Sequence, residues 1–387
     1  MRVLISGGGT GGHVYPALAV AMQLQQQYDA NILYLGSDDG LETRLVPEAG
    51  IQFKTIKAGK LQRFVSWRTV TGIARVPVGV AQAIGIVRDF RPDVAFTSGG
   101  YVAVPAGLAA RLNSVPLLMH QQDVPPNLSN KLIAPLATRI SVAFADSLRY
   151  FPAQKTLQLG NPIRQAILDA CHVSPQQARI RLGLAPDIPL VLVTGGSQGA
   201  RHLNQTVCQA LPALLEHCQV LQISGSNLFN ETRDLSEQML ANIKGEIRQH
   251  YHLEPYMNVE MPLALQAADL VLCRSGASVL SELAVLGKPS ILVPLPPAIG
   301  TSPQEANAAM FKREQAAEVI LNNLLKPELL VERITYMLST LACLPIMVDA
   351  VKKLAKPNAT QDIVETLITL TKRTVAKMPT NHEVISI

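Results

Sequence analysis

Short runs of apolar, largely β-branched residues alternate along the chain with longer stretches of helical period. In the first part the runs are RVLIS (2–6), NILYLG (31–36), FKTIKA (53–58), DVAFTS (93–98), VPLLMH (115–120) and RISVAF (139–144), with helices expected over 16–28 and 41–48. The runs are apolar throughout instead of alternating, the pattern of strands covered on both faces in a parallel α/β sheet. The pattern restarts at IPLVLVTGG (188–196). It continues through a helix over 200–216, QVLQISG (219–225), DLVLCRSG (269–276), a helix over 278–286 and PSILVPLP (289–296). Because the restart repeats the opening, strand then glycine turn then helix, the expected fold class is α/β, with two Rossmann-like doubly wound parallel-sheet domains facing a central cleft. The expected division is an N-terminal domain over 1–160 and a C-terminal domain over 161–355. A helix over 356–375 is expected to pack back on the N-terminal domain, before a tail over 376–387. Gly160 and Pro162 punctuate the seam.

Length agrees, since 387 residues suit two domains at roughly 150 residues each. Apolar residues make up 48% and charged residues 16%, which excludes wholesale disorder. The five cysteines, Cys171, Cys208, Cys218, Cys273 and Cys343, are scattered singly, arguing against a disulfide framework or a structural zinc site and for a reducing compartment. The opening MRVLISGGGTGG loses its apolar run at Ile5 and reads as a strand, not a signal peptide. The charge-free stretches 94–110 and 289–304 are broken by Gly or Pro and fall short of the roughly 20 apolar residues of a spanning helix.

Three glycine turns end predicted strands: Gly7 to Gly12, Ser98 to Tyr101, and Gly195 to Gly199. Glycines there let backbone N–H groups approach an anion, and the following helix N-terminus adds partial positive charge. Gly7, Gly9 and Gly12 satisfy the dinucleotide-binding GxGxxG, and Asp38 or Asp39 offers a ribose acid, so a nicotinamide-dependent oxidoreductase is one reading. A nicotinamide cofactor needs only one such turn, whereas two turns in one domain and one in the other suggest anions on both walls of a cleft. His13, where a helix begins beside the first turn, is a candidate proton acceptor when neutral. Ser275 to Ser278 form a further helix-opening turn, with Glu282 one turn inside; Arg274 reads as a phosphate partner or a surface charge.

The segments GGGTGGHVYPALAVA (7–21), TSGGYVAVPAG (97–107), GNPIR (160–164), GGSQGARHLN (195–204), CRSGASVLSELAVLGKPSILVPLP (273–296) and QEANA (304–308) together resemble the MurG-type N-acetylglucosaminyltransferases, two-domain GT-B enzymes of peptidoglycan synthesis. The resemblance implies transfer of N-acetylglucosamine from UDP-N-acetylglucosamine to the 4-hydroxyl of undecaprenyl-pyrophosphoryl-muramoyl-pentapeptide, lipid I to lipid II, with inversion at the sugar carbon. It implies His13 as the catalytic base. It implies donor contacts from Thr10, Gly11, Gly12, Asp123, Arg164, Ser197, Met257, Ala277, Ser278, Val279, Leu280, Ser281, Glu282 and Gln304, with Asn307 supporting Gln304. It leaves the acceptor pyrophosphate to Gly99, Gly100 and Tyr101 or to the first turn. No D-x-D pair occurs, and backbone dipoles suffice for the anion, so neither a metal nor a cofactor is expected.

Two segments depart from the family pattern. His120, Gln121, Gln122 and Asp123 stand where relatives usually carry His-Glu-Gln-Asn, which bears on sugar selectivity or rate. The segment 298–303, AIGTSP, lacks an Asp-His pair before Gln304. A related enzyme glycosylating another lipid, such as diacylglycerol, and a binding module without turnover are the competing readings.

Net charge is only +5, yet residues 51–91 carry eight basic side chains against Asp89 alone. Among them Arg63, Arg68 and Arg75 interleave with Phe64 and Trp67, a composition suited to an anionic membrane surface. Nucleic acid is not expected, since no reading motif accompanies the charge. The expected location is peripheral, on the cytoplasmic face of the bacterial cell membrane.

Overall fold

The computed structural model describes residues 1–9, 11–58, 67–296, 304–340 and 342–375, with backbone alone over 67–76 and 373–375. The chain separates into two units. One comprises Met1–Gln122, Pro126–Pro162 and the chain from Asn358; the other comprises Asp123–Pro125 and Ile163–Pro357.

The first unit is built on a parallel sheet of seven strands: β1 (Arg2–Gly7), β2 (Asn31–Gly36), β3 (Gln52–Thr55), β4 (Val94–Gly99), β5 (Leu117–Gln121), β6 (Arg139–Val142) and β7 (Thr156–Gln158). Their order is β3-β2-β1-β4-β5-β6-β7. Side chains alternate across this sheet, and both faces are apolar. Val3 and Ile5 pack with Val14, Ala17, Val20 and Leu24 of the Gly11–Tyr28 helix and with Ile363, Val364, Leu367 and Leu370 of the Ala359–Val375 helix. Leu4, between them, faces the other way, toward Ala83 and Val87 of the Trp67–Phe90 helix and Ala103 and Ala106 of the Ala103–Leu112 helix. Each fully buried aliphatic side chain contributes about 1.5–3 kcal/mol, so apolar matter on both faces stabilises β1 as an interior strand.

The second unit repeats the plan with six parallel strands: β8 (Leu190–Thr194), β9 (Gln219–Ile223), β10 (Tyr251–Glu254), β11 (Leu270–Cys273), β12 (Ser290–Leu292) and β13 (Glu318–Val319). Their order is β10-β9-β8-β11-β12-β13. Val191 and Val193 meet Leu203, Val207, Leu211 and Leu214 of the Arg201–Leu214 helix. Three strands absent from the sequence expectation, β7, β10 and β13, are all sheet edges. They are short and half exposed, so they lack the apolar run that marks an interior strand. No single helix among the described residues is long and apolar enough to cross a membrane.

His120 on β5 is wholly buried. Its Nε2 lies 3.0 Å from Asn161 Oδ1 and its Nδ1 2.9 Å from Ser141 Oγ. The neutral ring satisfies both, donating to the amide oxygen and accepting from the hydroxyl. Burial lowers its pKa from 6.5 to about 4, with the nearby His13 adding to the effect. Since the folded value lies below the unfolded one, this term is fully present above pH 6.5 and is lost as the pH falls toward 4. Urea unfolding is expected to show a loss of about 3 kcal/mol across that window, and His120→Asn is expected to lack that component.

Candidate active site

In an open parallel sheet the ligand crevice lies at the carboxyl ends of the two strands where the strand order reverses. In the first unit these are β1 and β4, and in the second β8 and β11. The turn after β1 holds Gly7 to Gly12, that after β4 Ser98 to Tyr101, that after β8 Gly195 to Gly199, and that after β11 Arg274 to Ala277. Each glycine-turn motif of the sequence therefore sits at a switch point.

The two turns of the first unit are pressed together. Gly7 pairs with Gly99 after a one-residue register shift in the β1–β4 ladder, and a Cβ on Gly100 would lie 2.3 Å from the Gly8 carbonyl oxygen. Gly99 and Gly100 adopt φ of 104° and 86°, conformations reserved for glycine. His13 and Ser98 bond reciprocally across this contact. Ser98 Oγ donates to the His13 carbonyl at 2.7 Å, and His13 Nδ1 donates to the Ser98 carbonyl at 2.9 Å. A carbonyl only accepts, so Nδ1 carries the proton and, in the neutral ring, Nε2 is the basic nitrogen. Gln122 Nε2 donates to the same carbonyl at 3.1 Å, a contact the motif reading did not anticipate. Tyr101 hydroxyl bonds Ser37 Oγ at 2.9 Å and Asp39 Oδ1 at 2.8 Å. Burial, more than these bonds, pushes its phenol pKa upward. Gly11 and Gly12 open the helix, and Thr10 lies outside the described residues.

One finding amends the expected anion cradle. The Gly9 N–H donates to Glu42 Oε2 at 3.0 Å, so this amide faces a carboxylate of the protein itself. Glu42 was invisible to motif reasoning because an acid at a helix start reads as an end-of-helix preference.

In the second unit, Gly276 caps the Ala277–Leu286 helix. The N–H groups of Ala277, Ser278 and Val279 lack intrahelical acceptors, whereas Leu280 N–H reaches the Gly276 carbonyl at 3.1 Å. The Leu280 side chain is wholly buried, and Ser281 Oγ donates to the Ala277 carbonyl at 2.8 Å. Glu282 Oε1 accepts from Arg164 Nε at 3.0 Å and Nη2 at 2.9 Å. Burial raises the Glu282 pKa and Arg164 opposes that rise. Gln304 Oε1 accepts from Leu295 N–H at 2.9 Å, and the Gln304 carbonyl accepts from Ser275 Oγ at 2.8 Å. Arg274 is neither a surface charge nor turned outward: Nη1 donates to Asn322 Oδ1 at 2.8 Å and to the Val293 carbonyl at 3.0 Å. Ser197 is exposed in its turn, and Met257 is half-buried beyond β10.

In the first departure, the two altered positions each present an accepting oxygen. Gln121 Oε1 accepts from Asn130 Nδ2 at 2.7 Å. Asp123 Oδ1 accepts from Asn307 Nδ2 at 2.7 Å. Asn307 is oriented without ambiguity, because its Oδ1 accepts from Val124 N–H at 2.9 Å and its Nδ2 also donates to the Ser275 carbonyl at 3.0 Å. Residues 298–303 of the second departure, together with Arg63 and Phe64, lie outside the described residues, as do the side chains of Trp67, Arg68 and Arg75. Among the described residues no group of three or more His, Cys, Asp or Glu side chains is placed to hold a metal ion.

Two parallel α/β units, each with its turns at a switch point, are the GT-B class of fold. The glycosyltransferase family 28 N-terminal domain model matches residues 3–142 and the glycosyltransferase family 28 C-terminal domain model residues 190–363. The chain belongs to glycosyltransferase family 28. It is 37% identical over 373 residues, 96% of this chain and 100% of the relative, to the UDP-N-acetylglucosamine–N-acetylmuramyl-(pentapeptide) pyrophosphoryl-undecaprenol N-acetylglucosamine transferase of Caldanaerobacter subterraneus subsp. tengcongensis. The crystal structure of Acinetobacter baumannii MurG superposes with a TM-score of 0.73 at 29% identity, covering 95% of this chain and 99% of that one. A UDP-GlcNAc 2-epimerase from Neisseria meningitidis, crystallised with UDP-GlcNAc, shares the fold alone, with a TM-score of 0.66 at 16% identity over 95% of this chain and 100% of that one.

Arg164→Met leaves Glu282 as a largely buried carboxylate without its cation. We expect a stability loss of roughly 2 kcal/mol, below the 3–5 of a fully buried pair, with partial recovery in Arg164→Met/Glu282→Gln. Urea titration of the four proteins checks this.

Proposed function

We propose that this protein transfers N-acetylglucosamine from UDP-N-acetylglucosamine to the 4-hydroxyl of lipid-linked muramoyl-pentapeptide. The observation that carries the reading is the His13–Ser98 pair, which leaves the basic Nε2 of a neutral imidazole at the switch point of the first unit, on a chain similar over its whole length to transferases of that name.

The chemistry follows from the residues of each unit. His13 Nε2 accepts the proton of the acceptor hydroxyl as its oxygen attacks the sugar carbon. The electron pair of the breaking glycosidic bond leaves with UDP, and inversion follows from this single displacement. Charge growing on the departing diphosphate is met by the amides at the start of the Ala277–Leu286 helix. Glu282, whose Oε2 makes no hydrogen bond among the described residues, accepts from the ribose hydroxyls, with Arg164 paired to its Oε1. Ser197 and Met257 serve the phosphate and the uracil, and Gln304 the sugar. Gly99 and Gly100 receive the acceptor pyrophosphate.

The acceptor is membrane-bound, and peripheral attachment to anionic lipid at the cytoplasmic face belongs to the same proposal. Besides the basic stretch over 51–91, three leucines of the first unit support it: Leu112, Leu128 and Leu132 are 65%, 59% and 50% exposed. They sit beside the exposed cations Arg111 and Lys131.

Incubation with UDP-N-acetylglucosamine and the lipid acceptor is expected to add one N-acetylhexosamine to the lipid, read by mass spectrometry. His13→Ala is expected to lower kcat by about 100-fold or more. An unmodified lipid with wild-type protein rejects the reading. In vesicle sedimentation, neutralising Arg63, Arg68 and Arg75 together is expected to weaken binding to anionic vesicles by about 100-fold, at about 1 kcal/mol per charge; equal binding to neutral and anionic vesicles overturns the attachment.

A further inference from the structure

Glu42 is 0% exposed and takes no part in the chemistry above. Its carboxylate accepts three bonds: Gly9 N–H on Oε2 at 3.0 Å, and Ser37 N–H at 3.1 Å and Ser37 Oγ at 2.6 Å on Oε1. No lysine or arginine pairs with it among the described residues. A buried carboxylate neutralised only by neutral donors is costly, and removing it would leave those donors without an acceptor. The three bonds join loops of different strands. Gly9 lies after β1 and Ser37 after β2, while Tyr101, after β4, bonds Ser37 and lays its ring against Gly9. Space is committed as well: a Cβ on Gly8 would lie 2.2 Å from Glu42 Oε1, and one on Gly40 2.1 Å from Oε2. The charge is felt nearby, since it adds to burial in pushing up the phenols of Tyr34 and Tyr101.

Both halves of the His13–Ser98 pair therefore stand on one carboxylate. Gly9 precedes the helix that carries His13, and Tyr101 follows the strand end that carries Ser98. We propose that Glu42 is a positioning residue for His13: it fastens the loops after β1, β2 and β4 so that the Ser98 carbonyl holds the proton on Nδ1 and leaves Nε2 basic. The same bond occupies the Gly9 amide. This rests on the proposed transferase reading for its kinetic arm only.

The test uses the full chain carrying ¹⁵N-labelled histidine, with the His13 ring signals identified by their loss in His13→Ala. In wild-type protein they are expected to report the Nδ1–H tautomer. In Glu42→Gln the amide nitrogen faces one of the N–H donors, and a mixture of tautomers is expected. Turnover per mole of folded protein is expected to fall about 10- to 100-fold, with the KM for UDP-N-acetylglucosamine changed less than about twofold. Ser37→Ala keeps the Gly9 bond and removes two of the others; it is expected to move both readouts in the same direction by less, and decides the matter if Glu42→Gln does not fold. Unchanged tautomer, unchanged kcat, or either moving without the other overturns the proposal. If wild-type protein shows no turnover, the transferase reading fails and the ring signals alone decide the role of Glu42.

Discussion

Parallel strands can be joined only by crossovers, and where successive crossovers leave a sheet in opposite directions their loops must part. Both sheets of this chain contain such a reversal, between β1 and β4 and between β8 and β11. The parting creates the opening, and glycine lets the first pair of loops come close enough to work as one piece. The reciprocal His13–Ser98 bonds exist only because the backbones at Gly7, Gly8, Gly99 and Gly100 touch. A methyl group on Gly100 would separate the imidazole from the carbonyl that sets its tautomer. Topology thus chooses where chemistry is possible, and four missing side chains make it so.

The altered motif at 120–123 is an instance of hydrogen-bond sense outlasting charge. Asn130 and Asn307 each present an amide N–H, to residue 121 and residue 123 respectively. Either an amide or a carboxylate oxygen meets that demand. Compared with the family pattern, the carboxylate stands at 123 instead of 121, and in this chain both positions present an accepting oxygen. What changes is the field around Asp123, whose segment is bonded in the second unit by Asn307 beside the Ser275 turn.

Interior strands were readable from the sequence because burial on both faces leaves a continuous apolar run, as at Val3–Leu4–Ile5. Edge strands were not, because Tyr251 to Glu254 and Thr156 to Gln158 meet a neighbour on one side only and tolerate polar residues. The glycine turns announced the switch points through composition. The side chains that tune them did not. Gln122 and Glu42 are ordinary residues by type and spacing, and only their bonds to Ser98 and Gly9 distinguish them. Arg274 carried a structural role that its position did not announce: its guanidinium braces the Val293 carbonyl just past β12.

The helix Ala359–Val375 seals the core of the first unit with Ile363, Val364, Leu367 and Leu370, more than two hundred residues after the sheet it covers. During synthesis the ribosome releases the whole of the second unit before that helix emerges. Until then that face of the β1 sheet is covered by the Gly11–Tyr28 helix but not by the last one, so the nascent first unit passes through a long interval with part of its aliphatic surface unsealed. Late closure of the earliest-made half couples maturation of the imidazole-bearing half to completion of the distal helix.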